Sequence, residues 1–316
     1  MLQKYLANYK NQIDAKLLLD GFTNGFRLQY TGPRMTVDAK NLNSANIYKF
    51  ETLNKLQSGV QLGRMIGPFK EKPISTLRIS PIGLVVKSDG GWRLIAHLSF
   101  PEDGGVNDFI DDKFCQMKYA WFDKVLGMIS ALGKGAELWK VDIQQAFRLL
   151  IVNPADFDLL GIKFEGKYWI DKILPMGCAI SCSLFEIFAT FLHWLGQSKC
   201  GLDTLDHYLD DFLFAGEPLT NNCQILMESF TKMCQELGVP IADKKTVGPS
   251  TLITFLGLVT DTLRMIVKIP EDKIEKLKFG ISLILNSKKL KIKEFESIIG
   301  LMAFCATPIP SARVFY

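Results

Sequence analysis

The chain has 316 residues, 48% of them hydrophobic and 22% charged, with a formal net charge of +4. That length can bury a substantial core in one or two domains; no apolar run reaches about 18 residues and no basic-then-apolar leader is present, which argues against a membrane span and against secretion. The seven cysteines are scattered, with only Cys178 and Cys182 close together, and fit a reduced intracellular protein, cytoplasmic or nuclear alike, better than a disulfide framework or a zinc site.

Residues 1–58 open with an amphipathic stretch (Leu6, Ile13, Leu17, Leu18) and pass a turn-rich patch at Gly21–Phe26. Asn41–Ala45 then caps a helix expected to run to about Leu56. This segment reads as a support layer without catalytic residues. From Gly59 to Ser99 strands and turns take over. Leu84–Lys87 and Trp92–Ile95 form the arms of a hairpin about Ser88-Asp89-Gly90-Gly91. Lys87 and Arg93 sit on separate arms. A cation on each arm is what a triphosphate clamp requires, and Arg adds a planar fork for phosphate oxygens. A solvated hairpin with exposed cations is the plain alternative.

Pro101–Asp112 is loop-like, and the segment up to Lys134 is helical in pattern, with Trp121, Val125 and Ile129 on one face. Gly133-Lys134-Gly135 ends it. Trp139–Ile143 is a short apolar strand carrying Asp142, followed by Gln144-Gln145-Ala146-Phe147. Asn153-Pro154 opens a short helix, proline being favoured at the first position. Gly161–Phe164 and Tyr168–Ile173 make a hairpin about Glu165-Gly166-Lys167. Leu174-Pro175-Met176-Gly177 leads into an apolar helix whose Ile180, Leu184, Phe188, Phe191 and Leu195 follow helical spacing and belong mostly to the core. At its start, the small residues Cys178, Ala179 and Ser181 leave room for a nucleotide or template base against the backbone. Gly177 as a mere turn residue is equally open.

Leu205–Leu209 and Phe212–Ala215 are short, apolar and partly alternating, and they flank Asp210-Asp211. They read as a β-hairpin with the acidic pair at its tip, because Asp tolerates the left-handed backbone of tight turns. Two carboxylates there repel unless cations share them, and hard oxygen ligands suit Mg²⁺ held together with substrate phosphates. An isolated Asp-Asp pair is more often a solvated turn. Asp142 on a nearby strand would supply the third carboxylate of a two-metal site, which activates an attacking 3′-hydroxyl and stabilises leaving pyrophosphate.

Thr220–Leu237 follows as an amphipathic helix closed by Gly238, then Asp243-Lys244-Lys245-Thr246 and Thr254–Leu258. The tail carries two helices, Glu271–Leu285 and Lys293–Ala306. Residues 263–316 hold ten Lys or Arg against five Asp or Glu. Lys273, Lys276 and Lys278 fall on the solvent side of the first helix, and basic helices with an apolar inner face suit sequence-independent contact with a phosphate backbone.

At Tyr208-Leu209-Asp210-Asp211 and Asp142–Phe147 the sequence resembles the reverse transcriptases, whose Y-x-D-D hairpin and D-x-x-x-[AG]-[FY] strand it matches at a separation of 68 residues between Asp142 and Asp210. The resemblance covers roughly Gly21 to Phe315 in the family's motif order. It implies that Lys87 and Arg93 belong to a fingers hairpin, Arg93 by motif and Lys87 by spacing. It implies nucleotide contact for the backbone at Ile143, for Tyr208, and for the L-P-x-G stretch with Met176 and Gly177, where many relatives carry Gln or Phe in place of Met176. Phe147 falls where the family places an aromatic ring beneath the incoming sugar; an ordinary core aromatic is the other reading. Lys244 and Lys245 compete for a position beside the leaving phosphates, a surface lysine pair being the alternative, and Phe255-Leu256-Gly257 matches the turn that packs on the primer end. His207–Phe214, Met176–Phe185 and Pro308–Phe315 look most like the enzymes of DIRS-like tyrosine-recombinase retrotransposons. A relative of that type continues into a ribonuclease H domain; none is expected within these 316 residues, nor an integrase, recombinase or protease.

The expected fold is therefore α+β, a right-hand polymerase with an antiparallel palm sheet backed by helices. Fingers are expected at 59–117 and 150–180, palm at 118–149 and 181–262, and a truncated thumb from 263, with 1–58 as support. The implied partners are an RNA or DNA template, a primer and deoxynucleoside triphosphates, with no membrane. The implied cofactor is a pair of Mg²⁺ ions on Asp142, Asp210 and Asp211, Mn²⁺ being a possible substitute. An RNA-dependent RNA polymerase would show Gly before the paired acids, and Tyr208-Leu209 with Phe147 argue against it. A non-catalytic nucleic-acid-binding remnant of a decayed retroelement is the rival from another class; the intact acids favour activity.

Overall fold

Helix propensity, alternation and turn residues act locally before packing selects among them, and the computed structural model shows the outcome for residues 1–316 apart from positions 88, 89, 118–121, 288 and 316. In chain order come helices α1 (Leu2–Leu6), α2 (Gln12–Asn24), α3 (Asn43–Ile47) and α4 (Lys49–Gln61). Strands β1 (Met65–Phe69), β2 (Ile82–Val86) and β3 (Trp92–Ala96) precede α5 (Phe122–Leu132) and β4 (Glu137–Asp142). Next are β5 (Gly161–Phe164), β6 (Lys167–Asp171), α6 (Ser181–Cys200), β7 (Leu205–Tyr208), β8 (Asp211–Gly216) and α7 (Asn222–Leu237). The last stretch holds β9 (Val247–Ser250), β10 (Leu252–Phe255), β11 (Leu258–Asp261), β12 (Ile266–Lys268), α8 (Glu271–Asn286) and α9 (Ile292–Ala306). The pairing between these strands is antiparallel, so the fold is α+β. Among the described residues no helix is long and apolar enough to cross a membrane.

The chain divides into two units, each assembled from three segments. Unit 1 takes Met1–Tyr119, Ile143–Leu195 and Cys234–Pro240; unit 2 takes Ala120–Asp142, Gly196–Met233 and Ile241–Tyr316.

Unit 1 contains the β1-β6-β5 sheet and the β2-β3 hairpin. Ala45, Leu56, Met65, Ile82, Ile162, Phe164 and Trp169 form one of its cores. The residues expected to face inward do so: Ile180 just before α6, and Leu184, Phe188, Phe191 and Leu195 on it, are all buried. Phe188 meets Phe22 with centroids 4.9 Å apart, and Phe191 meets Tyr9 at 5.3 Å, edge to face. A charge network fastens the N-terminal segment. Buried Asp156 accepts from Arg27 Nε at 2.8 Å, Leu28 N at 2.8 Å and Arg34 Nη2 at 2.6 Å, while Arg34 also reaches Asp158. Burial alone would raise the Asp156 carboxyl, but the hydrogen bonds from Arg27, Arg34 and Leu28 hold it below the usual carboxylate range.

Two local expectations for this unit change. The single helix expected from Asn41 to Leu56 breaks at Tyr48, which adopts φ −102 and ψ 53 between α3 and α4. Asn153 caps the segment after it, accepting from Ala155 N at 3.0 Å, but Pro154–Leu159 closes into a tighter 3₁₀ helix. The turn residues Ser88 and Asp89, and Trp121 of the expected helix face, lie outside the described residues.

Unit 2 is built on the four-stranded sheet β7-β8-β4-β9. Its edge strand β9 carries Pro249, tolerated because an edge needs no donor there. Alternation sorts the two faces. Leu138, Leu213 and Ala215 point to one side and pack with Phe122, Val125 and Ile129 of α5 and with Ile253, Phe255 and Leu258 of the β10–β11 hairpin. Phe212 and Phe214 point to the other and meet Phe230 of α7 at 4.7 and 5.1 Å. With both faces covered, the end of the β4–β8 ladder is held by packing on each side.

Candidate active site

The ladder between β4 and β8 runs in register from Glu137↔Gly216 to Asp142↔Asp211, and β7 continues the row with Tyr208↔Asp211. Asp142 and Asp211 are thus directly opposed at the end of adjacent strands, and Asp210 is in the two-residue loop beside them. Leu209 has φ +52 and Asp210 does not have a positive φ, the φ signature of a type II′ turn. The left-handed position expected of an aspartate is therefore filled by Leu209, because the first central residue of such a turn must take it. A left-handed non-glycine residue costs about 1–2 kcal/mol, and the packed strands impose it.

The end of β4 is pinned from one more direction, since the Asp142 carbonyl accepts from Ala242 N at 2.8 Å. Residues Asp243–Lys245 then turn through a 3₁₀ helix that brings Lys245 Nζ within 2.8 Å of Asp142 Oδ2. Of the lysine pair, Lys245 joins the acids, and Lys244 is exposed beside it. A second cation comes from β4 itself. Lys140 is two residues before Asp142, hence on the same face, and its Nζ lies 3.0 Å from Asp211 Oδ1. Nothing in the apolar strand pattern marked it out.

Three carboxylates against two ammonium groups leave the cluster negative. Asp210 is pushed up to about 6, by burial first and then by the charges of Asp142 and Asp211, against the pull of a backbone hydrogen bond and Lys245. Lys245 is raised, chiefly by its hydrogen bond to Asp142. Asp211 Oδ1 is buried and receives no directed hydrogen bond among the described residues, so Lys140 gives it charge without geometry. A buried carboxylate oxygen that has an ion pair but no directed hydrogen bond, beside a carboxyl that titrates high, is the chemistry of a site short of positive charge. These hard oxygen donors fit a divalent cation such as Mg²⁺ or Mn²⁺, and Asp142, Asp210 and Asp211 are the residues that would hold it.

The remaining sequence-derived residues divide between the units. In unit 2, Tyr208 packs against the core that contains Phe255. Phe255 is 1% exposed, so of the 255–257 segment only the Leu256-Gly257 turn reaches the surface. Its φ values of +49 and +79 are those of a type I′ hairpin turn, and a Cβ on Gly257 would come within 3.1 Å of Phe304. On α8, Lys276 and Lys278 are exposed and Lys273 half-buried, and each has an acid of its own helix near it. Lys273 and Lys276 lie 3.8 and 3.7 Å from Asp272, and Lys278 lies 2.8 Å from Glu275.

In unit 1, Arg93 opposes Val85 in the β2–β3 ladder, and Lys87 N donates to Gly91 O at 2.8 Å just past it. Two-residue alternation puts Lys87 and Arg93 on one face of that hairpin. Ile143 is fully buried, which leaves its backbone no exposed surface for the expected nucleotide contact. Phe147 is half-buried, its ring edge-on to Phe185 at 5.6 Å. Gly177 has φ +99, and a Cβ there would meet the Ala96 carbonyl oxygen at 2.8 Å, so more than a turn preference demands glycine. Asn107 holds this stretch: its Nδ2 donates to Gly177 O and its Oδ1 accepts from Ala179 N, both at 2.9 Å. Nothing in the sequence marks Asn107, since one polar residue in a polar loop carries no signal of a partner 70 positions away.

A family model described as reverse transcriptase (RNA-dependent DNA polymerase) matches residues 85–260, a span that contains all three acids. Protein P of duck hepatitis B virus (strain China) is 30% identical over 173 residues, covering 54% of this chain and 21% of that protein. The Pro-Pol polyprotein of feline foamy virus is 24% identical over 242 residues, covering 76% of this chain and 18% of the polyprotein. The chain thus spans about a fifth of the length of the curated relatives it matches. Among solved structures, the foamy viral protease-reverse transcriptase in complex with dsDNA shares the fold with a TM-score of 0.64 at 20% identity, over 96% of this chain and 61% of that one. The same enzyme in complex with an RNA/DNA hybrid gives 0.63 at 20% identity, over 96% of this chain and 39% of that one.

Proposed function

Because this chain belongs to the reverse transcriptase (RNA-dependent DNA polymerase) family, we propose that it extends a primer 3′-end with deoxynucleotides on an RNA or DNA template. The observation that carries the proposal is the gathering of Asp142, Asp210 and Asp211 at the end of one ladder, with a charge deficit that a divalent ion would fill. Mg²⁺, or Mn²⁺ in its place, supplies activation of the primer hydroxyl and charge stabilisation of the leaving pyrophosphate when bound.

The chain's own residues do the rest. Arg93 offers a fork to phosphate oxygens, and Lys87, on the same face, adds a second cation. Lys245 carries a proton and a charge on the side where pyrophosphate departs. Phe147 excludes a 2′-hydroxyl, the Met176-Gly177 stretch contacts the nucleotide or template base, and Tyr208 contacts the nucleotide. The Leu256-Gly257 turn touches the primer end, and Lys273, Lys276 and Lys278 contact the duplex backbone. In this reading fingers, palm and thumb correspond to 59–117 with 150–180, 118–149 with 181–262, and 263 onward. The relatives named above are viral; the wording of His207–Phe214, Met176–Phe185 and Pro308–Phe315 supports a retrotransposon of the DIRS-like type as the source.

Primer extension on an RNA template with Mg²⁺ tests the proposal. Product is expected from the wild type, and Asp210→Asn, which deletes ligand charge at a turn, removes most of it while thermal unfolding stays cooperative. Near wild-type extension by Asp210→Asn overturns the assignment of the acids. Duplex binding without extension by the wild type points to the non-catalytic remnant.

A further inference from the structure

Lysine at position 140 is costly as a packing choice. On the same face of the sheet its neighbours include Leu138 on its own strand and Leu213 directly opposite on β8, both buried in the α5-facing core, with exposed Val247 opposite on β9. The Lys140 side chain is only 20% exposed. A half-buried ammonium loses hydration and requires a counter-charge. Lys140 finds one in Asp211, at 3.0 Å, and Asp211 is the acid directly opposed to Asp142. Lys245, arriving from a separate segment, occupies Asp142 in the same way at 2.8 Å. The two differ in mobility of approach. Lys245 is 63% exposed along its side chain and can swing away, whereas Lys140 is confined between two strands and the core.

We propose that Lys140 is a positioning residue, a built-in counter-cation that holds Asp211 in place before metal arrives and lowers the affinity of the acid cluster for divalent ions. The inference rests on the metal-binding reading of Asp142, Asp210 and Asp211. Lys140 stabilises the metal-free fold by separating two opposed carboxylates that would otherwise repel across the ladder. It weakens metal binding because its charge stays in the cluster when the ion enters. Without Lys140, the cluster holds one more uncompensated negative charge. Even at water-like dielectric, removing a unit positive charge a few ångströms from a divalent ion changes affinity by roughly tenfold.

The test is Mn²⁺ binding to the nucleic-acid-free protein, read from the electron paramagnetic resonance signal of free Mn²⁺, together with melting temperature in EDTA and in Mn²⁺. Lys140→Met keeps the length and apolar stem and removes the charge. It is expected to lower the melting temperature in EDTA, to bind Mn²⁺ about tenfold more tightly, and to gain more from added Mn²⁺ than the wild type does. Lys140→Arg keeps the charge and is expected to bind Mn²⁺ as the wild type does. A purely structural lysine would lower stability without tightening Mn²⁺ binding, so unchanged or weaker binding by Lys140→Met overturns the proposal. Should Lys140→Met fail to fold, Lys140→Gln serves with the same expectation. Asp142→Asn separates the two levels. If it leaves wild-type Mn²⁺ binding intact, the metal reading falls and this inference with it; if it abolishes binding while Lys140→Met changes nothing, only the role of Lys140 falls.

Discussion

Asp142 and Asp211 are directly opposed across the β4–β8 ladder, an arrangement of like charges that a sheet does not favour. Lys245 and Lys140 each neutralise one member at 2.8 and 3.0 Å, and Asp210 is left to absorb the remaining field.

That field has a pH signature. The Asp210 carboxyl rises from an ordinary 3.8 to about 6 in the folded state, so between those values the folded protein binds more protons than the unfolded chain. Stability of the metal-free protein therefore falls as pH climbs through that window, by at most about 3 kcal/mol. Urea unfolding at pH 4, 5, 6 and 7 in EDTA measures it. The wild type is expected to lose stability relative to Asp210→Asn over this range. A constant difference between the two would contradict the assignment.

Gly177 is constrained twice, by φ +99 and by the Ala96 carbonyl oxygen 2.8 Å from where a Cβ would stand. Gly177→Ala should cost about 1–3 kcal/mol and raise KM for the deoxynucleotide, because the Met176-Gly177 stretch must shift. Wild-type stability and KM together would show that the loop absorbs a methyl group freely.

Phe147 packs one edge on Phe185 and keeps part of its ring accessible. Phe147→Val loses that aromatic contact, about 0.5–1.5 kcal/mol beyond the area lost. Ribonucleotide incorporation should rise by up to about 100-fold, which corresponds to roughly 3 kcal/mol of relieved exclusion, with deoxynucleotide use largely spared. Equal loss of both activities would make the ring a core residue and place the sugar gate elsewhere.

The α8 lysines face acids on their own helix, so their charge is partly spent before nucleic acid arrives. Neutralising Lys273, Lys276 and Lys278 together should flatten the salt dependence of duplex affinity by at most about three units, at roughly 0.9 per phosphate contact. The intrahelical pairs argue for a value below that ceiling. Fluorescence anisotropy across a salt series decides it, and an unchanged slope would make these lysines a solvated face.

What the amino-acid pattern revealed and what it hid follow from the range of the forces involved. Partial alternation marked the β7–β8 hairpin, turn residues marked the β5–β6 hairpin, whose loop proves to be Glu165-Gly166 with Lys167 already in β6, and helical spacing marked the buried side of α6, because all three depend on residues a few positions apart. The hairpin tip was legible as acidic but not in its conformation, since turn propensity favours Asp for the left-handed position and the register of the strands gave it to Leu209. Lys140 in an apolar strand and Asn107 in a polar loop were invisible because their partners, Asp211 and Gly177, are about 70 positions away. That Lys245 rather than Lys244 reaches Asp142 depends on the 3₁₀ turn at 243–245, a geometry that no propensity distinguishes.

The segmented build of unit 2 bears on how the protein is made in the cell. Strand β4 and its Asp142 leave the ribosome ahead of β8 and Asp211, with the whole Ile143–Leu195 excursion of unit 1 synthesised between them. At 5–20 residues per second that interval is roughly 3 to 14 seconds, during which β4 has neither β8 nor β9 to pair with. An unpaired apolar strand is a template for mispairing, and closing so long a loop makes the ladder slow to form. The nascent chain is accordingly most exposed to aggregation, and most dependent on chaperones, in the interval before its acids can meet.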